Sequence, residues 1–300
     1  MKIEKIDYKG WPNSYRLSNS EVELIATSDV GPRILHFGFT GGQNVLKVVE
    51  AMAGKSGEPT WQSRGGHRLW VGPEAVPMTY ALDNSPVIAG IENGSTLVLD
   101  QPIEPTTGLS KRISITLSET GSDVELVHHI YNHTLFELEF AAWALTVMAP
   151  GGVAVTGFPP RGEHPKDLLP SNPLVMWPYT DFSDQRWKFT KKYLILKQDP
   201  AAAEPQKAGS FSKETWGAYL LGSDLFVKKY IAGNSRMHPD LGCSFEFFTN
   251  RDMLELETMG PLTRVAPGAY VEHVERWSLQ GGVSVRDWTD EALDNLFANG

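Results

Sequence analysis

Residues 65–74 (GGHRLWVGPE) concentrate side chains that could do chemistry. His67 carries a titratable imidazole and Arg68 a guanidinium, while Trp70 adds an indole and Glu74 a carboxylate, all among glycines that permit unusual backbone conformations. Sugar hydroxyls need paired hydrogen-bond donors and acceptors, and the apolar face of a pyranose ring packs against an aromatic plane. The run therefore favours one wall of a polyol site, although a core tryptophan and a locally satisfied loop histidine fit it equally well.

A second candidate is the carboxylate pair in residues 253–262 (MLELETMGPL). Strand alternation places Glu255 and Glu257 on one face, opposite to Leu254 and Leu256. On an exposed face they would be solvated charges, whereas in a cleft burial could raise the pKa of one and make it a general base. Their Cα atoms would lie roughly 7 Å apart, as in glycosidase carboxyl pairs, but groups on one strand cannot flank a scissile bond from two directions.

Three histidines, His128, His129 and His133, gather in the run LVHHIYNHTLF. Their spacing is not that of a specific metal site, and strand alternation prevents His128 and His129 from facing one ligand, so we predict a structural role and no metal. The sequence has neither a glycine-rich phosphate loop nor a G-x-S-x-G elbow, which predicts no nucleotide cofactor. Cys243 has no evident activating partner, and we predict that it is a small buried residue.

The composition limits the partners of the chain. A formal charge of -9 and an isoelectric point near 5.4 disfavour binding to nucleic acid. The amino terminus lacks an apolar run, and no stretch of about 18 apolar residues occurs elsewhere, so we expect no membrane partner and a cytoplasmic location. The single cysteine fits a reducing compartment. Because all-β sandwiches often reach ~200 to 250 residues as one unit, we predict one domain over 1–300, as a monomer or homodimer.

The elements that must position these groups are mostly strands. Alternating apolar residues, or short β-branched and aromatic runs, predict strands at 22–26, 33–39, 96–99, 113–117, 124–131, 140–148, 193–196, 216–230, 244–248, 253–257 and 273–279. Turn signals such as Gly41-Gly42 and Asn93-Gly94 separate them too closely for helical crossovers. The sequence therefore predicts an all-β fold of antiparallel sheets with few helices.

Helical periodicity is convincing only at the carboxyl end. Thr289 can cap a helix whose first turn contains Asp290 and Glu291, and its apolar face consists of Ala292, Leu293, Leu296 and Phe297. Residues 157–180 are rich in proline and charge, which predicts a long surface loop, and residues 201–206 predict a second, solvated loop.

Five runs carry a resemblance to a known family. They are GPRILHFGFTGGQNVL, GGHRLWVGPE, AAWALTVMAPGG, HPDLGCSFEFFTN and LELETMGPLTRVAPGAYVEHVERWSL. In this order, over nearly the whole chain, they resemble the galactose mutarotase-like superfamily, and more closely one of its bacterial branches. The resemblance implies a supersandwich of large antiparallel sheets with a carbohydrate cleft on its concave face. It also implies that the partner is a small-molecule sugar or sugar derivative.

The resemblance assigns two catalytic roles. In aldose 1-epimerases of that superfamily, a glutamate takes the proton of the anomeric hydroxyl and a histidine protonates the ring oxygen, after which the open-chain aldehyde rotates and recloses. Glu257 matches the family's glutamate on a late strand, and His67 matches its first cleft histidine. The second histidine, the proposed acid, usually stands just after a strand of the type at 138–146, where this chain has Trp143. His133, one turn earlier, and His67 itself are alternative acids.

The resemblance also implies the sugar contacts. Asp240, in HPDLG, matches a carboxylate that grips sugar hydroxyls. Arg33 and Arg68 could hold an acidic or phosphorylated sugar through bidentate hydrogen bonds, or else form ion pairs at the surface or between strands. The remaining expected binding residues are Trp70, Glu74, His133 and Trp143.

Three functions remain open on this basis. The first is an aldose 1-epimerase-like isomerase with Glu257 as base and a cleft histidine as acid. The second is a carbohydrate-binding protein without turnover, which Trp143 favours because it replaces the expected acid. The third is a module related to glycoside hydrolases or polysaccharide lyases, which ranks last because 300 residues leave no obvious room for a further catalytic domain.

Overall fold

The computed structural model describes residues 1–232 and 237–297. The first eleven strands are β1 (Lys2–Tyr8), β2 (Trp11–Ser18), β3 (Val22–Thr27), β4 (Arg33–Phe39), β5 (Gly66–Gly72), β6 (Ile88–Glu92), β7 (Thr96–Asp100), β8 (Leu109–Leu117), β9 (Val124–Asn132), β10 (Leu138–Met148) and β11 (Val153–Gly157). The remaining strands are β12 (Leu174–Met176), β13 (Trp187–Phe189), β14 (Tyr193–Lys197), β15 (Gln206–Ser210), β16 (Glu214–Leu221), β17 (Asp224–Ile231), β18 (Phe245–Thr249), β19 (Leu254–Met259), β20 (Thr263–Val265) and β21 (Tyr270–Gln280). Within these two described ranges, helical structure is limited to a 3-10 turn at Glu50–Met52, a turn at Pro239–Gly242 and the helix α1 (Asp290–Phe297).

Two large antiparallel sheets make up the fold. The first has eleven strands in the order β1-β2-β3-β4-β5-β10-β19-β18-β15-β12, with β20 paired to β10. The second has ten strands in the order β13-β14-β11-β16-β17-β21-β9-β8-β7-β6. This architecture confirms the predicted all-β sandwich.

The two sheets pack through one apolar core. The first sheet contributes Leu69, Val71, Ala142, Phe247 and Leu256, and the second contributes Ile113, Leu126, Phe226 and Trp277. Each buried large side chain of this kind stabilises the folded state by about 1.5–3 kcal/mol through the removal of apolar surface from water. Because successive side chains of a strand alternate between faces, the residues between the core positions of the first sheet point away from the second sheet.

Strand β5 corrects the interpretation of His67 as a loop histidine. Gly65 and Gly66 both have left-handed backbone, with φ of 76° and 69°. A Cβ atom on Gly66 would lie 2.0 Å from the carbonyl oxygen of Ile34. The glycines thus allow β5 to approach β4 closely, and the chain then continues as a regular strand in which His67, Leu69 and Val71 share the inner face.

The carboxyl-terminal helix is confirmed. Helix α1 begins at Asp290, and the Thr289 hydroxyl accepts a hydrogen bond from the backbone N–H of Ala292 at 3.2 Å. The predicted loop at 157–180 is mostly exposed, but the short strand β12 interrupts it and pairs with β15. Among the described residues, no helix is long and apolar enough to cross a membrane.

Gly66→Ala should destabilise the fold much more than Gly121→Ala. Both glycines have positive φ, but a Cβ on Gly121 has no atom within 4 Å. Left-handed backbone costs an alanine about 1–2 kcal/mol at either site, and the clash at Gly66 should add about 1–3 kcal/mol. Urea unfolding monitored by circular dichroism measures both free energies of unfolding. Equal losses in the two variants would contradict the close approach of β5 to β4.

Candidate functional site

A row of side chains crosses the outer face of the first sheet, which is the face turned away from the second sheet. The strand register aligns Arg68 with Leu145, Leu145 with Glu257, and Glu257 with Glu246. Glu246 in turn lies opposite Gly209, whose missing side chain leaves space for the Glu246 side chain. Antiparallel pairing therefore places the carboxylates of Glu246 and Glu257 side by side on neighbouring strands.

Lys207 joins these two carboxylates. Its Nζ lies 2.8 Å from Oε2 of Glu246 and 2.9 Å from Oε2 of Glu257. The indole Nε1 of Trp143 donates a second hydrogen bond to Oε2 of Glu257 at 3.0 Å. Oε1 of Glu257 is buried and accepts no hydrogen bond from the described residues. We call Glu246, Glu257, Lys207 and Trp143 the outer-face cluster.

Burial dominates the electrostatics of the outer-face cluster. Glu246 is 0% exposed and Glu257 is 1% exposed. Desolvation raises the pKa of both carboxyl groups, more strongly for Glu246, and the attraction of Lys207 only partly offsets it. Although burial disfavours its charge, Lys207 keeps a raised pKa because Glu257 and Glu246 both attract the ammonium group. With one positive charge for two carboxylates, the cluster is neutral when one carboxyl group keeps its proton.

Aromatic rings line the outer face beside this cluster. Trp70 packs against Trp143 at a centroid distance of 5.5 Å, against Trp61 at 5.0 Å and against Tyr80 at 5.1 Å. The guanidinium of Arg68 lies over the Trp70 ring at 4.2 Å. Planar apolar surfaces next to buried carboxylates are what a sugar ring with its hydroxyls requires.

The loop between β12 and β13 lies against the outer-face cluster. Lys207 Nζ lies 4.8 Å from the ring centroid of Trp143 and 4.8 Å from that of Trp177, which belongs to this loop. Burial raises the pKa of Tyr179 to about 12, and the charges of Lys207 and Glu257 also act on its hydroxyl group. Trp177 therefore lies beside Lys207 at the edge of the outer-face cluster.

The arginines predicted to bind an anionic sugar are already paired. Arg33 is fully buried; one terminal nitrogen donates to Asp83 and the other to the carbonyl of Gly65 at 2.7 Å. Arg68 donates to Glu255 at 2.9 Å. The alternative of ion pairs thus describes both side chains, and both terminal nitrogens of Arg33 are engaged.

Two other predicted contacts lie in loops at the border of the outer face. Glu74 is exposed and accepts a hydrogen bond from the hydroxyl of Tyr80. Asp240 lies in the turn Pro239–Gly242 with left-handed backbone, and its negative charge acts on Glu246. His238, just before this turn, donates from Nδ1 to the carbonyl of Met259 at 2.9 Å. Buried Cys243, as predicted, follows the turn.

His67 does not face Glu257, contrary to the expectation from the resemblance. Because it alternates with Arg68 and Trp70 on β5, its side chain lies between the two sheets, while Glu257 lies on the outer face. Its Nε2 donates to Nε2 of His128 at 2.8 Å, and its Nδ1 accepts from the hydroxyl of Thr146 at 2.9 Å.

A closed hydrogen-bond network surrounds His67. His128 donates from Nδ1 to the carbonyl of His273 at 2.8 Å, which leaves its Nε2 as the acceptor for His67. Lys228 donates to Thr146 at 3.0 Å and lies 2.8 Å from Glu275. This network connects the two sheets and gives each nitrogen of the His67 and His128 rings a partner.

These contacts bear on two further possibilities, a metal site at the buried histidines and His133 as the acid. Ligand atoms of His67, His128 and Glu275 lie within 4.8 Å of one another, which is close enough for a metal site. Lys228 neutralises Glu275, and both histidines have their ring nitrogens engaged, so we interpret this group as a structural network. His133 is exposed on the second sheet, where it contacts the Ser110 hydroxyl, and it does not lie with the outer-face cluster.

The sequence analysis missed Lys207 and Glu246. The signal for Glu246 is its position between Phe245 and Phe247 in a predicted strand. When the two phenylalanines face the core, the side chain of Glu246 points to the opposite face, which Glu257 also occupies. Lys207 directly follows the residues predicted as a solvated loop, but β15 is a buried strand that begins at Gln206.

A cavity of about 850 Å³ lies elsewhere, between helix α1 and the outer face of the second sheet. Tyr193, Trp216 and Phe297 supply apolar walls, and the exposed side chains of Lys192 and Lys229 stand at its border. Its charges are solvated, unlike those of the outer-face cluster. Because buried charge with unpartnered oxygens is the better sign of a site, we place the candidate site at the cluster.

Comparison with solved structures supports the fold. A galactose mutarotase-like protein from Lactobacillus casei aligns with 88% of this chain and 99% of its own, with a TM-score of 0.59 and 8% identity. The chain has the galactose mutarotase-like fold. A protein from Synechocystis aligns with a TM-score of 0.60 and 12% identity over 93% of this chain and 99% of its own. A candidate aldose 1-epimerase from Escherichia coli K12 aligns with a TM-score of 0.54 and 12% identity over 89% of this chain and 99% of its own. No family model and no curated protein sequence matches this chain.

The buried histidines of this mutarotase-like sandwich should make its stability fall in mild acid. Burial lowers the pKa of His128 to about 4 and that of His67 well below its usual value. The unfolded chain takes up protons near pH 6.5 and the folded chain does not, so stability is full above pH 6.5 and falls as the pH drops toward 4, by about 3 kcal/mol for His128 alone. Thermal unfolding across this pH range measures the effect.

His128→Gln should flatten this pH dependence, although it lowers stability at neutral pH by breaking the bond to His67. His133→Gln, which changes an exposed histidine, is the matched control and should keep the wild-type pH dependence. An unchanged slope in His128→Gln would show that His128 is not neutral in the folded state.

Proposed function

We propose that this chain is an aldose 1-epimerase-like isomerase that holds a sugar against the outer face of the first sheet, with Glu257 as the general base. The observation that carries the proposal is the position of Glu257, a buried carboxylate with one unpartnered oxygen in a mutarotase-like fold. The solved aldose 1-epimerase candidate with the same fold supports the reaction class.

Anomer exchange requires little besides proton transfer. The carboxylate of Glu257 takes the proton of the anomeric hydroxyl while the bond between C1 and the ring oxygen breaks, and the ring oxygen takes up a proton. The bond from Trp143 and the ammonium of Lys207 orient Oε2, so that Oε1 is the oxygen left to accept the hydroxyl proton. Burial raises the pKa of Glu257, which makes its carboxylate a stronger base than a solvated one.

A neutral sugar fits this site better than an acidic or phosphorylated one. The guanidinium groups of Arg33 and Arg68 are compensated by Asp83 and Glu255. Lys207 is shared by two carboxylates. An added phosphate or carboxylate would therefore meet no free positive charge among these groups and would be desolvated without compensation.

Sugar binding without turnover is the second candidate function. One observation favours this function: no histidine acid lies beside Glu257 at the two expected positions. Trp143 occupies the position of the second family histidine, and His67 lies between the two sheets. In that case Glu257 and the aromatic rings would hold a sugar whose anomers exchange at the uncatalysed rate.

Glu257→Gln tests the proposal. We expect the wild-type protein to accelerate anomer exchange of at least one neutral aldose, and the variant to lower kcat/KM by about 10²- to 10⁴-fold because an amide cannot accept the proton. Exchange spectroscopy by nuclear magnetic resonance, over a panel of neutral, acidic and phosphorylated sugars, measures the rates.

Glu104→Gln is the matched control, because Glu104 is also a buried carboxylate bound to a lysine, Lys111, but lies outside the candidate site. It should keep the wild-type rate. Thermal stabilisation by a sugar without any acceleration would favour the binding function, and acceleration that survives Glu257→Gln would exclude Glu257 as the base.

A further inference from the structure

Glu246 is a buried titratable group that the proposed reaction does not yet use. Its side chain is 0% exposed, and neither oxygen makes a well-formed hydrogen bond, although Oε2 lies 2.8 Å from Lys207 Nζ. A carboxylate in such a place costs free energy unless it is paired or protonated. Its register partner on the neighbouring strand is Glu257.

We propose that Glu246 is the acid of this site and donates a proton to the ring oxygen of the sugar while Glu257 accepts the proton of the anomeric hydroxyl. This inference rests on the proposed function and supplies the proton donor that neither His67 nor Trp143 provides. The two oxygens that exchange protons with the enzyme are bonded to the same sugar carbon. Two carboxyl groups that lie within hydrogen-bonding distance of one ammonium nitrogen are close enough to serve both of them.

The charges around Glu246 favour one retained proton. The groups that face it are Lys207, Glu257, Asp240, Cys243 and Tyr179. Lys207 is the only positive charge among these five, and it already compensates Glu257. Desolvation, together with the repulsion of Glu257 and Asp240, raises the pKa of Glu246 well above its usual value. One ammonium group between two buried carboxyl groups therefore favours the state in which Glu246 carries a proton and Glu257 accepts one, as in other sites where two close carboxylates cannot both ionise.

The proton transfers balance. As the bond from C1 to the ring oxygen breaks, its electron pair goes to the ring oxygen, which takes the proton of Glu246. Glu257 takes the anomeric hydroxyl proton, which leaves an open-chain aldehyde. The aldehyde rotates about the bond between C1 and C2. Ring closure on its other face then returns one proton to Glu246 and one to the new anomeric hydroxyl, so no other reactant is consumed.

The test is the pH dependence of kcat/KM for the neutral sugar that the wild-type protein exchanges fastest. The wild type should give a bell-shaped profile, whose acidic limb reports the base and whose alkaline limb reports the acid. Glu246→Gln should lower the maximum by about 10²- to 10⁴-fold and abolish the alkaline limb while keeping the acidic limb. The amide oxygen of the glutamine can still accept from Lys207, which favours folding of the variant.

Glu246→Asp keeps the carboxyl group and should retain a bell-shaped profile at a lower maximum. An infrared difference spectrum between wild type and Glu246→Gln should also show a protonated carboxyl band at neutral pH, and its absence would contradict the retained proton, whereas the loss of the alkaline limb in Glu246→Gln distinguishes the acid from a purely structural group. An active wild type with Glu246→Gln at the rate of Glu104→Gln overturns this inference alone. A wild type that accelerates no sugar overturns the proposed function, and the assignment of Glu246 falls with it.

Discussion

The alternation of side chains along β5 is the constraint on which the arrangement of both polar systems depends. His67, Leu69 and Val71 point toward the second sheet, while Arg68 and Trp70 point away from it. A shift of one residue in the pairing of β5 with β10 would exchange these faces and bury a guanidinium and an indole in the apolar core. The left-handed backbone at Gly65 and Gly66 sets where this strand begins.

Buried charge lies both between the two sheets and on the outer face of the first sheet, but it is compensated differently in the two places. Between the sheets, one ammonium group of the second sheet, Lys228, meets one carboxylate of the same sheet, Glu275, and neutral His67 and His128 form hydrogen bonds beside them. On the outer face, Lys207 meets two carboxylates, and oxygens of Glu246 and Glu257 lack hydrogen bonds. In the network between the sheets, every ring nitrogen of His67 and His128 has a protein partner, and the network connects the sheets. The outer-face cluster has buried carboxylate oxygens without hydrogen-bond donors, and for this reason we assign the chemistry to it.

The sequence predicts the sheets, the terminal helix and the outward direction of Glu257, because each depends on local periodicity. The direction of the His67 side chain was not predicted, because the flanking glycines suggest a loop. The alternation of apolar residues in HRLWV does predict a strand, with the imidazole on the apolar face. The meeting of Lys207 with Glu257 depends on the pairing of β15 with β18 and of β18 with β19. Pairing between segments distant in the chain is set by packing of the whole core, so periodicity within one strand cannot predict it.

A crystal structure of the protein with a bound neutral aldose tests the account most directly. We expect the sugar ring against the aromatic surface that contains Trp70, with its anomeric oxygen at hydrogen-bond distance from Oε1 of Glu257. Trp177 and Tyr179 should border the bound ring. A sugar bound in the cavity beside helix α1, with the outer-face cluster still covered and its carboxylates bonded only to Lys207 and Trp143, would contradict the assignment of the site.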